Sequence, residues 1–320
     1  MKALSPPLFV NFSSLDEAFQ AFSYPENIQD WRALTQRNLP PVISTQFLSL
    51  LFGVSPNFIS SITRKPNKNY RTFIIKKGKK ERVINSPKIG LKLFQTWIGH
   101  HLSRAVLLEE NVCGFIPGKN GILEAASQHS AAGWLYSIDL RDFFSKINSE
   151  RVKSALLDLG YPEDSAKLIT SLCTLNGCLP QGSPASPVLS NLVFKSTDQI
   201  FIDLASKLNI RYTRYADDLV FSGNNNQPEN LPQIIKEILN NENWEIAPEK
   251  EENLKAPYRL KVHGLVVNGL TPRLTKGYRN RIRAYKHLKN TNKIKDNKEK
   301  IQGHLAYADQ VDKFFAQKIS

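Results

Sequence analysis

Two adjacent acids, Asp217 and Asp218, lie between two short segments that have the composition of β-strands. The segments Ile210–Tyr215 and Leu219–Phe221 are rich in aromatic and β-branched residues, and only three residues connect them. A connection this short joins strands as an antiparallel hairpin, so both acids are predicted at a hairpin tip. Most Asp-Asp pairs in such turns only cap a surface turn. A further acid close in space is therefore needed before the pair indicates a site.

A third acid ends a predicted strand upstream. The run from Trp134 to Asp139 alternates like a strand and places Asp139 at its end, on the face opposite Trp134. Neighbouring carboxylates ~4 Å apart repel each other by a few kcal/mol at an effective dielectric of about 20. A divalent cation relieves that repulsion, and Mg²⁺ prefers oxygen ligands. We therefore predict two Mg²⁺ ions, bridged by Asp139 and Asp217, with Asp218 more peripheral.

The composition favours a protein that binds a polyanion. The chain has 320 residues, 41% of them hydrophobic, which is enough for two or three packed lobes. Lys and Arg total 43 against 29 Asp and Glu, and the resulting charge of +14 favours nucleic acid as a partner. A basic surface kept for solubility is the alternative. Three cysteines without a C-x-x-C pair predict free thiols, and the absence of a signal peptide or long apolar run predicts a cytoplasmic protein without a membrane partner.

Local patterns predict the other elements. Residues 1–60 are predicted to be helical, with Ser44 as an N-cap and a break at Gly53; a DNA-reading helix-turn-helix is the alternative. A basic-tipped hairpin is predicted over residues 71–84 with its turn at 76–80, followed by a helix over 91–107. Residues 261–267 and 270–274 are predicted to form a hairpin around Asn268-Gly269, a dipeptide that favours a type I′ turn.

Three sequence blocks, in this order, resemble those of one enzyme family. The run from Tyr136 to Phe144 resembles the first aspartate block of reverse transcriptases. Leu179 to Pro187 resembles their segment beside the incoming nucleotide, and Arg211 to Ser222 resembles their active-site hairpin. From about Tyr70 to the C-terminus, the best match is to bacterial retron reverse transcriptases.

The resemblance implies an α+β, right-hand polymerase fold with fingers, palm and thumb. It further implies an antiparallel palm sheet with helices on one face. The expected segments are an N-terminal helical segment at 1–60, fingers and palm at 61–268, and a basic thumb at 269–320. Within residues 273–300, eleven cations face only Asp296 and Glu299, which favours a thumb that binds the nucleic-acid backbone without reading sequence.

The resemblance also assigns the site residues. The implied catalytic and metal-binding residues are Asp139, Leu140, Asp217, Asp218 and Lys250, the last as proton donor to the leaving pyrophosphate. The implied dNTP-binding residues are Lys76, Lys77 and Arg82 as a triphosphate clamp, Phe143 and Phe144 with Phe144 as steric gate, and Gln181 and Gly182. The implied primer and template residues are Tyr215, the hairpin Val262, His263 and Gly264, and the thumb residues Arg279, Arg283 and Lys286.

In family terms, such an enzyme copies a cognate noncoding RNA into branched multicopy single-stranded DNA. Priming from a guanosine 2′-hydroxyl, dNTPs as substrates, a retron effector protein, a separate host RNase H and a role in antiphage defence are implied with it. Two family signatures are imperfect in this chain. Ala125 replaces Asn in the Asn-Ala-x-x-His block, which ends at His129, and His263 replaces Thr in Val-Thr-Gly. The alternatives are another bacterial reverse transcriptase, group II intron-like or of a non-retron defence type, and a catalytically silent RNA-binding scaffold.

Overall fold

The computed structural model describes residues 28–77, 80–291 and 297–318. The chain divides into two compact units, Met1–Leu108 with Asp142–Ser196 and Glu109–Arg141 with Thr197–Ser320. Each unit combines two separate stretches of the chain, whereas the segments predicted from sequence follow chain order. The division at residues 60 and 268 stays a prediction.

The described part of the first unit starts with three helices, and serine side chains cap two of them. Helices α1, α2 and α3 span Ile28–Gln36, Thr45–Phe52 and Pro56–Arg64. Ser44 Oγ accepts a hydrogen bond from the Phe47 amide at 3.0 Å, and Gly53 ends α2 in the left-handed conformation with φ of 63°. The predicted cap and break are confirmed. The part of the helical prediction on residues 1–27 lies outside the described residues.

An antiparallel hairpin follows, with β1 at Tyr70–Lys77 and β2 at Lys80–Pro87. The strands are longer than predicted, because Lys76 pairs in register with Glu81 and their side chains lie 3.4 Å apart. Lys76 is therefore a strand residue, and the predicted turn at 76–80 is corrected. The helices after this hairpin are α4 at Ile89–Ala105, α6 at Phe143–Lys146, α7 at Ser149–Asp158, α8 at Glu163–Cys173 and α9 at Ser186–Leu208. Helix α9 belongs to the first unit up to Ser196 and to the second unit from Thr197 onward.

The second unit is built on a four-stranded antiparallel sheet. It contains α5 at Gly121–Gln128 and α10 at Leu231–Asn241, and its strands are β3 at Trp134–Asp139, β4 at Arg211–Tyr215, β5 at Asp218–Gly223 and β6 at Glu252–Lys255. The spatial order is β4-β5-β3-β6, so β5 joins the two strands that carry the predicted acids. The α+β class and the antiparallel palm sheet are confirmed.

Helices cover both faces of this sheet, which corrects the prediction that they lie on one face. On one face, Phe201 of α9 packs against Tyr212 and Phe221, with ring centroids 5.3 and 5.4 Å apart. On the other face, Leu123 of α5 shares a buried cluster with Leu135 of β3. The residues of α5 are mostly small and apolar, which lets this short helix lie close to the strands.

The C-terminal part contains the predicted hairpin around Asn268-Gly269 and a second, tighter hairpin before it. Strands β7 at Lys261–Val262, β8 at Leu265–Val266 and β9 at Arg273–Leu274 form a three-stranded sheet. The turn between β7 and β8 is His263-Gly264, both left-handed with φ of 47° and 85°. Asn268-Gly269 lies in the loop 267–272 that joins the antiparallel strands β8 and β9, so the predicted hairpin is confirmed. The predicted two-residue turn is corrected to this longer loop, in which the Asn268 side chain accepts a hydrogen bond from the Leu260 amide and donates one to the Tyr258 carbonyl.

The last two helices complete the core of the second unit. Helix α11 spans Lys276–Asn290 and α12 spans Lys298–Gln317. Leu305 and Phe315 of α12 join the cluster that contains Leu135 and Val220 of the palm sheet. The segment predicted as thumb therefore shares a core with the palm. Within the described residues, no helix combines the length and apolar character that a bilayer crossing requires.

Candidate active site

The palm sheet brings two of the predicted acids side by side. Asp139 is the last residue of β3 and Asp218 the first of β5, and the two are directly paired across the strands. Asp218 is also paired with Tyr215 of β4, so the connecting turn consists of Ala216 and Asp217 alone. The prediction of both acids in the turn is corrected in this detail, because Asp218 is a strand residue.

Two backbone contacts fix the turn that carries Asp217. The Leu140 amide donates to the Asp217 carbonyl at 2.9 Å, which ties the turn to the end of β3. Ala216 has a left-handed φ of 57°, a conformation that costs free energy for a residue with a Cβ. Gly114 lies against the turn, since a Cβ there would come within 2.5 Å of the Ala216 nitrogen. Neighbouring residues thus hold a strained turn in place.

A buried ion pair lies beneath the same turn. The Arg214 guanidinium is fully buried and binds Asp198 through both carboxylate oxygens, at 2.8 and 2.6 Å. The Tyr212 hydroxyl donates to Asp198 at 2.7 Å, and Arg214 Nη1 donates to the Ala216 carbonyl at 3.2 Å. Sequence analysis missed this network; its one signal is an arginine inside an otherwise uncharged buried stretch of β4.

The carboxylates are crowded. The pKa of Asp218 is raised to about 7 by burial, by a hydrogen bond with Asp139 and by the negative charges of Asp217 and Asp139. Lys250 opposes this shift, and its Nζ binds a carboxylate oxygen of Asp139. The positive charge of Lys250 therefore partly offsets the negative charge of the three acids.

The donor set fits a hard divalent cation. Carboxylate oxygens are the ligands that such ions prefer, and a bound cation would relieve the repulsion that raises the Asp218 pKa. Among the described residues, no three His, Cys, Asp or Glu side chains already converge as a ready-made metal site. One physical reason why these side chains do not converge is that Lys250 already binds the carboxylate of Asp139. An ion would have to displace that contact.

His263 reaches the acids from the β7–β8 turn. Its Nδ1 lies 3.6 Å from a carboxylate oxygen of Asp218, and its ring lies 5.2 Å from that of Tyr215. Burial lowers the pKa of His263 to about 4, so the imidazole is neutral at pH 7. Its Nε2 is buried without a hydrogen-bond partner in the described part of the chain. The structure thus brings Tyr215 and His263 to Asp218, with Val262 and Gly264 flanking His263 in the chain. The sequence alone does not predict this contact.

His129 is buried below the acids rather than exposed. Its Nδ1 lies 2.7 Å from Ser222 Oγ and its Nε2 lies 2.8 Å from Thr213 Oγ1, so both ring nitrogens are paired with hydroxyls of β4 and β5. Burial lowers the pKa of His129 to about 3, with smaller contributions from Arg211 and His263. The histidine fastens the end of α5 to the middle of the sheet.

The predicted dNTP residues lie in the first unit. Gln181 and Gly182 follow β2 closely: the Gln181 carbonyl accepts a hydrogen bond from the Asn85 amide at 2.8 Å. Gly182 has a φ of 119°, and a Cβ there would lie 2.9 Å from Ile84. Lys76 and Arg82 lie on the two paired strands, where Lys76 is opposite Glu81 and Arg82 is opposite Ile75. The Lys77 side chain lies outside the described residues.

The two predicted gate aromatics differ in exposure. Phe143 is buried against Phe194, with ring centroids 5.9 Å apart, whereas Phe144 is only partly buried. A buried ring is available as support and not as a contact for substrate. The structure therefore favours Phe144 over Phe143 for the gate.

The predicted thumb residues border a cleft away from the acids. Arg279, Arg283 and Lys286 are exposed on α11. They line a cavity of about 660 Å³ with residues of α12 and β9. Lys286 is partly engaged, since its Nζ lies 3.8 Å from Asp309. Their surroundings suit phosphate contacts, and the described residues that line the cavity do not include the three acids.

Comparisons with known proteins match the motifs. Residues 74–267 match the family model described as reverse transcriptase (RNA-dependent DNA polymerase). The retron Mx162 reverse transcriptase of Myxococcus xanthus is 31% identical over 224 residues, covering 61% of this chain and 46% of that protein. The retron Mx65 reverse transcriptase of the same organism is 27% identical over 318 residues, covering 92% of this chain and 74% of that protein. The chain thus spans about half the length of the first relative.

A solved structure shows a weaker likeness. An apo telomerase from Candida tropicalis, truncated from its C-terminal domain, superposes with a TM-score of 0.48 at 10% identity, covering 69% of this chain and 61% of that one. A likeness of this degree has no bearing on function.

Proposed function

The chain belongs to the reverse transcriptase (RNA-dependent DNA polymerase) family, and we propose that it synthesises DNA on an RNA template as a retron-type enzyme. Its Myxococcus relatives confirm the resemblance to bacterial retron reverse transcriptases that the motifs indicate. One observation carries the proposal: Asp139 and Asp218 are paired across adjacent strands, with Asp217 in the turn beside them. That arrangement crowds acids where a polymerase needs cations.

Two Mg²⁺ ions are the cofactors in this proposal. Asp139, Asp217 and Asp218, with the Leu140 carbonyl, would hold them. When bound, the ions supply the charge that activates a primer hydroxyl and stabilises the leaving pyrophosphate. The paired ends of strands β3 and β5 keep the carboxylates of Asp139 and Asp218 close together before any ion binds, so little rearrangement of the backbone is required.

Lys250 is proposed as the proton donor to the leaving pyrophosphate. Its contact with Asp139 places a flexible ammonium group at the acids. With the Asp139 carboxylate engaged by a cation, the Lys250 ammonium would be able to approach a phosphate of the leaving pyrophosphate and donate a proton to it. The Lys250 side chain would thereby neutralise the acids when no cation is bound and donate a proton when cations are bound.

The substrate contacts extend from the family resemblance. Lys76, Lys77, Arg82, Gln181 and Gly182 are proposed to bind the dNTP, with Phe144 excluding the 2′-hydroxyl. Tyr215 and the β7–β8 turn are proposed to hold the primer end, in keeping with their contacts beside Asp218. Arg279, Arg283 and Lys286 are proposed to bind backbone phosphates.

The remaining proposals follow from the retron type. The template is a cognate noncoding RNA, and the product is branched multicopy single-stranded DNA, made in the cytoplasm. An effector protein acts with the complex in antiphage defence, and a host RNase H removes template. These statements come from the relatives' class.

The test is DNA synthesis by the purified protein on its co-purified RNA, with dNTPs and Mg²⁺. We expect the double variant Asp217→Asn plus Asp218→Asn to lose synthesis by on the order of a thousandfold while RNA binding persists, because the carboxylates act on the ions and not on the template. The matched control is Asp158→Asn plus Asp164→Asn, which removes two exposed acids. Wild-type protein that makes no DNA under these conditions contradicts the proposal and leaves the RNA-binding scaffold.

A further inference from the structure

Arg214 is directly bonded to the backbone of the turn that carries Asp217. It is fully buried in β4, two residues before Ala216, and its Nη1 donates to the Ala216 carbonyl at 3.2 Å. Its other nitrogens, Nε and Nη2, are bound to Asp198 of α9 at 2.8 and 2.6 Å. The guanidinium therefore has a fixed orientation, and one of its edges faces the turn.

The ion pair is costly as a purely structural feature. Removing two charges from water carries a large desolvation penalty, and replacing a buried pair with apolar side chains is often neutral or stabilising. The Tyr212 hydroxyl adds a third hydrogen bond to Asp198, at 2.7 Å, so every part of the network is satisfied. A network this complete orients its members closely, which matters where a neighbouring backbone requires support.

The turn requires that support. Ala216 has a φ of 57°, a left-handed conformation that a residue with a Cβ adopts only when its surroundings impose it. Its carbonyl is the group that Arg214 binds, and the next two residues are the acids. An error in the Ala216 peptide would therefore shift both Asp217 and Asp218 relative to Asp139.

We propose that Arg214, oriented by Asp198 and Tyr212, is a positioning residue that sets the geometry of Asp217 and Asp218 through the Ala216 carbonyl. The inference rests on the proposed function for the chemistry that those acids perform. It does not require Arg214 to touch substrate or metal.

The test compares variants of the network with a matched variant on the same strand. Tyr212→Phe removes one hydrogen bond to Asp198, and Arg214→Lys keeps the charge but loses the two-pronged contact. Thr213→Val is the control, since it removes a buried hydrogen bond to His129 from the opposite face of β4. Arg214→Met is avoided, because it leaves Asp198 buried and unpaired, a change that often destroys a fold.

Two readouts are measured on the full-length protein: Mn²⁺ affinity by electron paramagnetic resonance, and kcat and KM for dNTP incorporation. We expect Tyr212→Phe to weaken Mn²⁺ binding and lower kcat by about threefold to tenfold, and Arg214→Lys by about tenfold or more, with KM for dNTP nearly unchanged, because small misplacements near reacting groups are costly. Thr213→Val should change both by less than about twofold, even where its thermal stability falls as much.

Equal behaviour of Tyr212→Phe, Arg214→Lys and Thr213→Val at matched stability overturns the inference, since a structural role alone predicts it. A different result is also informative. If the wild-type protein synthesises no DNA, but Tyr212→Phe and Arg214→Lys bind Mn²⁺ more weakly than the wild type and Thr213→Val does not, the proposed function is contradicted and the positioning role is supported. The two ideas therefore fail separately.

Discussion

His129 illustrates how a single buried residue ties pH to stability. Its folded pKa is about 3, well below the ordinary value of 6.5. The unfolded chain therefore binds a proton at higher pH than the folded chain does. Its stabilising contribution is fully present above pH 6.5 and is lost as the pH falls towards 3.

We expect His129→Gln to flatten the dependence of unfolding free energy on pH between about 6.5 and 4. Each unit of pKa shift corresponds to about 1.4 kcal/mol, so the lost contribution amounts to several kcal/mol across that range. Urea unfolding at stepped pH measures it, as the difference between variant and wild type. The exposed His287 offers the control His287→Gln, and a slope that persists in His129→Gln would show that other groups dominate acid unfolding.

Residue identity predicted part of the site and not the rest. The acids follow from local signals, because strand alternation and a short connection determine where Asp139, Asp217 and Asp218 lie. The contacts of Arg214 with Asp198, and of His263 with Asp218, join residues 16 or more positions apart in the chain. The periodicity of the sequence does not predict such long-range contacts, because they depend on which helix or hairpin packs on which face of the sheet.

At the level of elements, the segment around Gly114 acts as a further edge beside β4. Val112 forms a parallel bridge with Arg214, and the Cys113 amide donates to the Arg214 carbonyl at 2.8 Å. The chain then passes so close to the turn at Ala216-Asp217 that only glycine fits at position 114. The contact between this segment and the turn is backbone against backbone, so neither side can yield cheaply.

Gly114→Ala should therefore destabilise the protein by about 1 to 3 kcal/mol, as overpacking does, and lower kcat because the turn must shift. Thermal unfolding and primer extension measure the two effects. Gly303→Ala is the control: a Cβ at Gly303 in α12 meets nothing within 4 Å, and alanine there should stabilise the helix by about 0.5 to 1 kcal/mol. Unchanged activity in Gly114→Ala would mean that the turn tolerates displacement.

The elements themselves were largely predictable, with an instructive error in the turns. Helix α2 and strand β3 follow from capping and alternation and lie where the sequence predicts them. Asn268-Gly269 lies in the loop of the predicted hairpin, between β8 and β9, but the chain makes a further, tighter turn at His263-Gly264 that no local signal predicts. A histidine in the left-handed conformation is disfavoured on its own, so tertiary contacts with Tyr215 and Asp218 decide where this hairpin closes.

Helix α11 presents exposed cations whose role is testable through salt dependence. Each phosphate contact that is lost reduces the slope of log affinity against log salt by about 0.7 to 0.9. We expect the triple variant Arg279→Gln, Arg283→Gln and Lys286→Gln to reduce that slope by about 2 to 3 for its RNA, equally for every sequence.

The control removes the same charge from other helices. Lys153, Lys167 and Lys236 each lie within 3.3 Å of a glutamate oxygen, so their replacement by Gln should leave the slope nearly unchanged. Fluorescence anisotropy over a range of KCl concentrations measures both variants. Equal slopes in the two triple variants would place the phosphate contacts outside α11.

For the whole molecule, a net charge of +14 explains attraction to nucleic acid and leaves its identity open. Long-range attraction raises association rates with any polyanion, whereas the choice of one RNA depends on specific contacts. In the turn beside Asp218, His263 replaces the Thr of the family signature. The RNA that this chain copies therefore cannot be taken over from its relatives. The nucleic acid that the protein retains is therefore the most informative observable.

We expect the purified protein to carry one RNA covalently joined to a short single-stranded DNA. The join is a 2′,5′ linkage if priming uses a 2′-hydroxyl, so treatment with a debranching enzyme should release the DNA as a separate species on a denaturing gel. Sequencing both strands identifies the template. The Asp217→Asn plus Asp218→Asn protein should retain the RNA without DNA, because binding depends on the basic surface and synthesis depends on the acids. DNA that is linear before debranching would favour another bacterial reverse transcriptase type over the retron type.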